Sequence, residues 1–285
     1  MERELARVLD QPVVLGVHLG PPRANRKPIL QILDRQLRPL AVAKVGTEPL
    51  TRRLVLREAE NLTLVGERDL GPVRAPRVLH AGVWNDAALL VVDHLPLGAA
   101  TTLAGPALSR AMTMVARSGT VTRHRFVEAP AFSRMAEQAR GLDAGPVREA
   151  VIEALAGLAA LTRPWEHGTW HGDWTAWNCA AHGSEALVWD WERCEEGVPL
   201  GWDALHHELR EQLQDRTPTQ DAARGLVTKA PSLLRPFGVA DDIAPDIARA
   251  YLVEIALRYL VDRQREKGGP AGRVEDWILP VVCAG

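Results

Sequence analysis

Cysteine is scarce in this chain and poorly placed for cross-linking. Cys179, Cys194 and Cys283 are the three in 285 residues, and with no close-spaced pair they suggest neither a zinc site nor a disulfide framework. A reducing compartment suits them. No stretch approaches the roughly 18 apolar residues that a bilayer span requires. The first residues, Met1-Glu2-Arg3-Glu4-Leu5-Ala6-Arg7, alternate charges where a signal peptide needs an apolar core. An excess of one charge is missing too. The formal net charge is −2 with both signs mixed throughout, which gives no global attraction to nucleic acid or to an anionic membrane. Internal repeats and low-complexity linkers are absent. These absences predict a soluble cytoplasmic protein whose partners are neither nucleic acid nor membrane.

Hydrophobic residues make up 46% of the chain, enough to bury a substantial core as one large domain or two small ones. The first third reads as strands. Val13–Val17, Ile29–Leu33 and Leu40–Val45 form a three-strand meander with a polar loop, Gly20–Pro28, between the first two. Lys44 lies inside the third strand among valines and alanines, a position that needs a reason unless it snorkels from a sheet edge. A helix is expected over Leu54–Leu62, and two more strands over Arg77–Val83 and from Ala87 to about Asp93. Pro96 and Gly98 then mark a boundary. From about 104 helical periods dominate, notably Pro146–Leu158 and 244–266. Segment 104–130, with Arg110, Arg117, Arg123 and Arg125, is the least readable.

The most informative residues are His171-Gly172-Asp173-Trp174-Thr175-Ala176-Trp177-Asn178, followed by Asp190 in Val188-Trp189-Asp190-Trp191-Glu192. A loop carrying Asp173 and Asn178, then a hairpin ending in Asp190, would bring three oxygen-bearing side chains to one point. Phosphoryl transfer needs that set: a carboxylate to position the attacking hydroxyl and accept its proton, and hard oxygen ligands for Mg²⁺ on the phosphates. The order and spacing follow the catalytic-loop and metal-loop pattern of protein kinases.

With His-Gly-Asp in place of His-Arg-Asp, and Asp190-Trp191-Glu192 in place of Asp-Phe-Gly, the chain resembles the aminoglycoside phosphotransferase and choline kinase branch of the kinase-like fold. Gly197, Pro199 and Asp203 continue the resemblance. It implies an α+β, bilobal architecture: a small antiparallel-sheet nucleotide-binding lobe over 1–96 and a larger, mainly helical lobe over 97–285 carrying the catalytic loop and acceptor site. It implies ATP as phosphate donor, with GTP as the alternative, and Mg²⁺ held by Asn178 and Asp190. Asp173 would be the catalytic base, with His171 and Asp203 supporting its loop. Lys44 would meet the nucleotide phosphates, held by Glu58 or, as the alternative, Glu60. Gly20 and Asn25 match the looser phosphate loop of this branch, although Pro21 and Pro22 remove two amide donors. Backbone groups of Asp93 and Leu95 would face the base, with Val92 as gatekeeper.

Twelve residues separate Asp190 from Asp203, too few for the peptide platform of a protein kinase, so a small-molecule hydroxyl acceptor is expected. Most of the tryptophans belong to the core on this reading, with Trp174 the first candidate for the acceptor wall, and Glu195, Glu196, Asp203, Glu208 and Glu211 offer carboxylates for an acidic cleft or, equally, a solvated charged face. Two rival readings are a catalytically silent nucleotide-binding scaffold and a peptide Ser/Thr kinase of a natural-product pathway.

Overall fold

A computed structural model describes residues 1–214, 217–269 and 271–283. The chain opens with a short helix α1 (Glu2–Val8), then strands β1 (Val14–Leu19), β2 (Pro28–Leu33) and β3 (Pro39–Gly46). Helix α2 (Pro49–Gly66) follows, then β4 (Val73–Arg74), β5 (Val78–Trp84) and β6 (Ala87–Asp93). Strands β1, β2, β3, β6 and β5 form, in that order, one antiparallel sheet. Strand β3 is therefore central, and Lys44, paired with Ile29 on one side and Leu90 on the other, does not lie at an edge.

Both faces of this sheet are covered. Leu5 of α1 packs with Ile32, Ala43, Leu89 and Val91 on one face, and α2 lies against the other. Pro49 starts α2 without losing a needed donor, and Leu54, Val55, Glu58, Leu62 and Val65 recur at helical spacing on its buried face. That spacing includes Glu58 and leaves Glu60 exposed.

Beyond Asp93 come α3 (Gly105–Ala116), β7 (Thr122–Arg125), α4 (Pro130–Arg140), α5 (Pro146–Ala159), β8 (Pro164–Trp170), β9 (Cys179–His182), β10 (Glu185–Val188) and β11 (Glu195–Pro199). They are followed by α6 (Trp202–Leu213), α7 (Gln220–Leu234), α8 (Ala244–Val261), α9 (Val274–Trp277) and α10 (Leu279–Val282). The unreadable segment 104–130 is thus a helix and a strand. Two three-stranded sheets, β4-β10-β9 and β11-β8-β7, stand within the helical part. Helix α8 stops at Val261 rather than continuing to 266, since Arg263 turns left-handed at φ 50°. Helix α8 is buried almost all round, from Ile247 to Leu257, at the centre of the helical core.

A second apolar cluster joins the two parts of the chain. Val55, Leu90 and Val92 from the sheet and α2 pack with Trp174, from the loop between β8 and β9, and with Val188 and Trp191 at the end of the hairpin that follows it. Among the described residues no helix is long and apolar enough to cross a membrane.

Candidate active site

The loop between β8 and β9 is held from three directions. Asp203, at the start of α6, accepts the backbone N–H of His171 at 2.7 Å and of Gly172 at 3.0 Å. Arg258 of α8 donates to the Gly172 carbonyl at 2.6 Å. Gly172 has φ +85°, and a Cβ there would lie 2.2 Å from the Arg193 carbonyl oxygen, so glycine alone fits between His171 and Asp173. Burial pushes the Asp203 carboxyl up to about 7 against the pull of its two amide donors.

His171 is fully buried, with Nδ1 accepting the Asp173 N–H at 3.3 Å and Nε2 donating to the Trp189 carbonyl at 3.1 Å. Burial lowers its pKa to about 4, so the ring is neutral and acts as a two-ended strut beneath the loop. It does not line either cavity at the site.

Asp173 presents its carboxylate between two donors. Asn178 Nδ2 reaches Oδ2 at 3.0 Å and the Asp173 carbonyl at 2.9 Å, and His206 Nε2 reaches Oδ1 at 3.0 Å. Burial lowers the pKa of His206 to about 4. The neutral ring donates from Nε2, and Nδ1 accepts from the Tyr251 hydroxyl at 2.9 Å. Burial is the largest single influence on Asp173 and opposes its charge, but the His206 hydrogen bond and the nearby Arg258 guanidinium act together to hold the carboxyl below its usual range. His206 is a residue that the sequence reading missed. It lies one helical turn after Asp203 on α6, and i, i+3 spacing from a loop brace was its only signal.

The hairpin β9–β10 closes on itself. Cys179 pairs with Val188, and Trp189 N–H donates to the Asn178 carbonyl at 3.1 Å, which brings Asn178 and Asp190 to one end. Asp190 adopts φ 72°, a left-handed conformation that Asp tolerates better than most residues. Its Oδ1 accepts from Lys44 Nζ at 2.6 Å, and the same ammonium meets both oxygens of Glu58 at 2.5 and 2.7 Å. Glu60 makes no part of this. Burial would lift the Asp190 carboxyl, but Lys44 and Lys27 reverse it and hold it far below the ordinary range. The same carboxylates hold Lys44 well above the ordinary lysine value against burial.

Lys27 was also missed. It is buried just before β2, bonded to the buried Glu192 and 3.8 Å from Asp190. Its signal was scarcity: Lys27, Lys44, Lys229 and Lys267 are the only lysines in the chain, and the first two meet here.

The donor set suits a small hard cation. Asn178 Nδ2 is engaged by Asp173, leaving Oδ1 as its open atom, and Asp190 Oδ2 has no hydrogen-bond partner among the described residues. Glu58, Asp190 and Glu192 bring carboxylate oxygens within 4.8 Å of one another. All are oxygen ligands, as Mg²⁺ requires.

Lys44, Glu58, Asp190 and Asn178 line a cleft of about 590 Å³ together with Val92, Asp93 and Leu95. The Asp93 N–H donates to the Arg77 carbonyl and the Leu95 carbonyl accepts from Leu97, while the Leu95 N–H has no hydrogen-bond partner among the described residues. Gly20 and Asn25 do not line this cleft. Asn25 instead donates to Glu192 Oε1 at 3.2 Å and borders a second cavity, beside Asp173. Trp174 is a correction: it is 0% exposed and packs edge-on to His171 in the core, so it walls nothing. Trp177, 44% exposed, lines the cleft instead.

The acidic cleft is a correction too. Glu195 is bonded to Arg134, Glu196 to Arg68 and Glu208 to Lys229, and Asp203 braces the loop. Of the five, none lines the cavity beside Asp173.

No family model and no curated protein sequence matches the chain; its likeness is to solved structures. A thermostable mutant of aminoglycoside phosphotransferase APH(4)-Ia, in a ternary complex with ADP and hygromycin B, superposes with a TM-score of 0.61 at 16% identity, covering 100% of this chain and 98% of that one. Amicoumacin kinase hAmiN, in complex with AMP-PNP and Ca²⁺, gives 0.53 at 12% over 98% and 96%. A putative fructosamine-3-kinase from Haemophilus somnus 129PT gives 0.52 at 13% over 96% and 95%. The chain therefore has the bilobal α+β fold of the aminoglycoside phosphotransferases and related small-molecule kinases.

Proposed function

We propose that the protein is an ATP-dependent phosphotransferase that moves the γ-phosphate to a hydroxyl of a small molecule. The observation that carries this reading is the convergence of Asp173, Asn178, Asp190 and the Lys44–Glu58 pair at the junction of two cavities. The nucleotide-binding lobe would be 1–96, with the base against the Leu95 N–H. Lys44, fixed by Glu58, would meet the phosphates. Asp173 would accept the acceptor's proton at its carboxylate while His206 and Asn178 hold that carboxylate in place. Asn178 Oδ1 and Asp190 Oδ2 would hold Mg²⁺, which neutralises charge on the phosphates during transfer. Solved proteins of the same fold carry ADP and AMP-PNP with hygromycin B, or AMP-PNP with Ca²⁺, which supports a nucleotide, a divalent cation and a small acceptor.

A peptide acceptor is disfavoured by the chain after Asp190. It makes one 3₁₀ turn, pairs as β11 with β8 and enters α6 at Trp202, leaving no extended platform.

The test is calorimetry of ATP and GTP with and without Mg²⁺, on the wild type and on Asp190→Ala. Mg²⁺-dependent binding that the variant loses is the expected result. Absence of nucleotide binding under all conditions ends this reading, and binding without any turnover favours the silent scaffold.

A further inference from the structure

The cavity beside Asp173 has a charge that the fold does not require. Four arginines line it, Arg23, Arg193, Arg210 and Arg258, against a single carboxylate, Asp173 itself. Two of the four are already committed. Arg193 is bonded to Asp262, and Arg258 donates to the Gly172 carbonyl and lies over the Trp170 ring. The other two have no carboxylate partner, although Arg210 lies beside the Tyr259 hydroxyl. Arg23 and Arg210 form no salt bridge among the described residues, and the Nε of each is buried with no hydrogen-bond partner. A buried guanidinium donor left unmatched costs on the order of 1–3 kcal/mol, and two such side chains line this one cavity with no paired carboxylate to offset their charge.

Arg210 is also held in place. It projects from α6, one turn beyond His206, and its guanidinium lies 5.2 Å from the centre of the Trp177 ring. It lines the cavity beside Asp173 and not the nucleotide cleft, whereas Arg23 borders both. Phosphate recognition in the nucleotide cleft therefore does not account for Arg210. A planar guanidinium with open donors matches carboxylate or phosphate oxygens in pairs.

Resting on the phosphotransferase reading, we infer that the acceptor is an anionic hydroxyl compound, whose carboxylate or phosphate group is bound by Arg210 and Arg23 while its hydroxyl faces Asp173. A polycationic aminoglycoside is the opposite of what this cavity recognises. The cavity is also tight, about 80 Å³ against 590 Å³ for the nucleotide cleft, which favours a compact acceptor.

The experiment uses acceptors built on one three-carbon frame: glycerate and glycerol 3-phosphate as the two anions, glycerol as the neutral member and 2-amino-1,3-propanediol as the cation, with hygromycin B as a polycation. Binding to the full chain is measured by calorimetry, with and without saturating Mg²⁺–ADP, on the wild type, Arg210→Gln and Arg23→Gln. One or both anions should bind tighter than glycerol, lose affinity as salt rises, and weaken about tenfold or more in Arg210→Gln. A circular dichroism spectrum matching the wild type shows that the variant is folded. Equal or tighter binding of the neutral or cationic members, no binding of either anion, or unchanged anion affinity in both variants overturns the inference. The Mg²⁺–nucleotide titration without acceptor reports on the phosphotransferase reading by itself, so the two can fail separately.

Discussion

At the scale of single residues, the geometry around Asp173 makes a claim about protons. Its carboxyl is held below the usual range by the His206 hydrogen bond and the Arg258 guanidinium in spite of burial. Replacing His206 with Phe keeps a flat ring but removes that donor, so burial is less opposed and the Asp173 pKa rises. The acid limb of the kcat–pH profile should then move to higher pH. A loss of packing alone would lower kcat without moving the limb, so the profile separates the two. Asp173→Ala should reduce kcat by about 10²–10⁴-fold, the usual contribution of a positioned acid or base, measured with any acceptor that turns over. Much of this site was legible in the sequence, because Asp173, Asn178 and Asp190 are spaced by a loop and a hairpin whose closure is local. His206, Lys27 and Arg210 were not, because their roles arise from helix and loop placement, for which the i, i+3 spacing of His206 from Asp203 and the scarcity of lysine are only weak signals.

Elements position these residues through a few close contacts. Gly46 ends β3 where α2 begins, and a Cβ there would lie 2.5 Å from the Thr51 carbonyl oxygen and 2.7 Å from the Arg52 nitrogen. Gly46→Ala must push α2 away from the sheet, and Glu58, farther along the same helix, moves with it. The expected outcome is a loss of about 1–3 kcal/mol in denaturant unfolding together with weaker nucleotide binding by calorimetry. Gly66→Ala, at the other end of α2 with no atom within 4 Å of the new methyl, is the control and should change neither by more than about 1 kcal/mol. A Gly46→Ala protein with normal stability and nucleotide affinity would remove the argument that this junction sets the Lys44–Glu58 pair. Strands β7, β8 and β11 escaped the sequence reading for a different reason. They are rich in His, Trp, Glu and Arg, so neither alternation nor a β-branched run marks them, and they form a sheet only because each finds its partner across a long stretch of chain.

The whole molecule should be sensitive to acid. His167, His171 and His206 are buried and neutral, each with its pKa lowered by burial to about 4 from 6.5. A histidine that protonates more readily in the unfolded chain contributes stability that is complete above 6.5 and is lost as pH falls from there toward 4. Asp203, raised to about 7 from 3.8, acts oppositely over much of that window, because the folded protein takes up its proton first. His207, also lowered by burial, adds to the histidines, while Glu58 and Glu195, also raised by burial, act with Asp203, so the net loss is about 1.4 kcal/mol per pH unit for each histidine in excess. Thermal unfolding at pH 7.5, 6 and 5 should show a falling Tm, and a flat or rising Tm would contradict the buried neutral histidines. Both ring nitrogens of His167 lack partners, and the ring stacks on His124 at 4.1 Å, so His167→Phe should soften this dependence. Pro96 and Gly98 lead the sequence to expect a boundary at about residue 96, whereas the apolar cluster that runs from Leu90 to Trp174 and Trp191 leaves no mark in the sequence, since it joins segments far apart in the chain.

Arg23 borders both cavities, carried on the loop between β1 and β2. On the phosphotransferase reading, one side chain in two walls offers a route by which the occupancy of each chamber can bear on the other. Thermodynamic linkage then requires that whatever factor the nucleotide imposes on acceptor affinity, the acceptor returns to the nucleotide. The two ligands would be sensed jointly, and the loaded complex would have the same free energy by either order of arrival, leaving only the rate of assembly to record which came first.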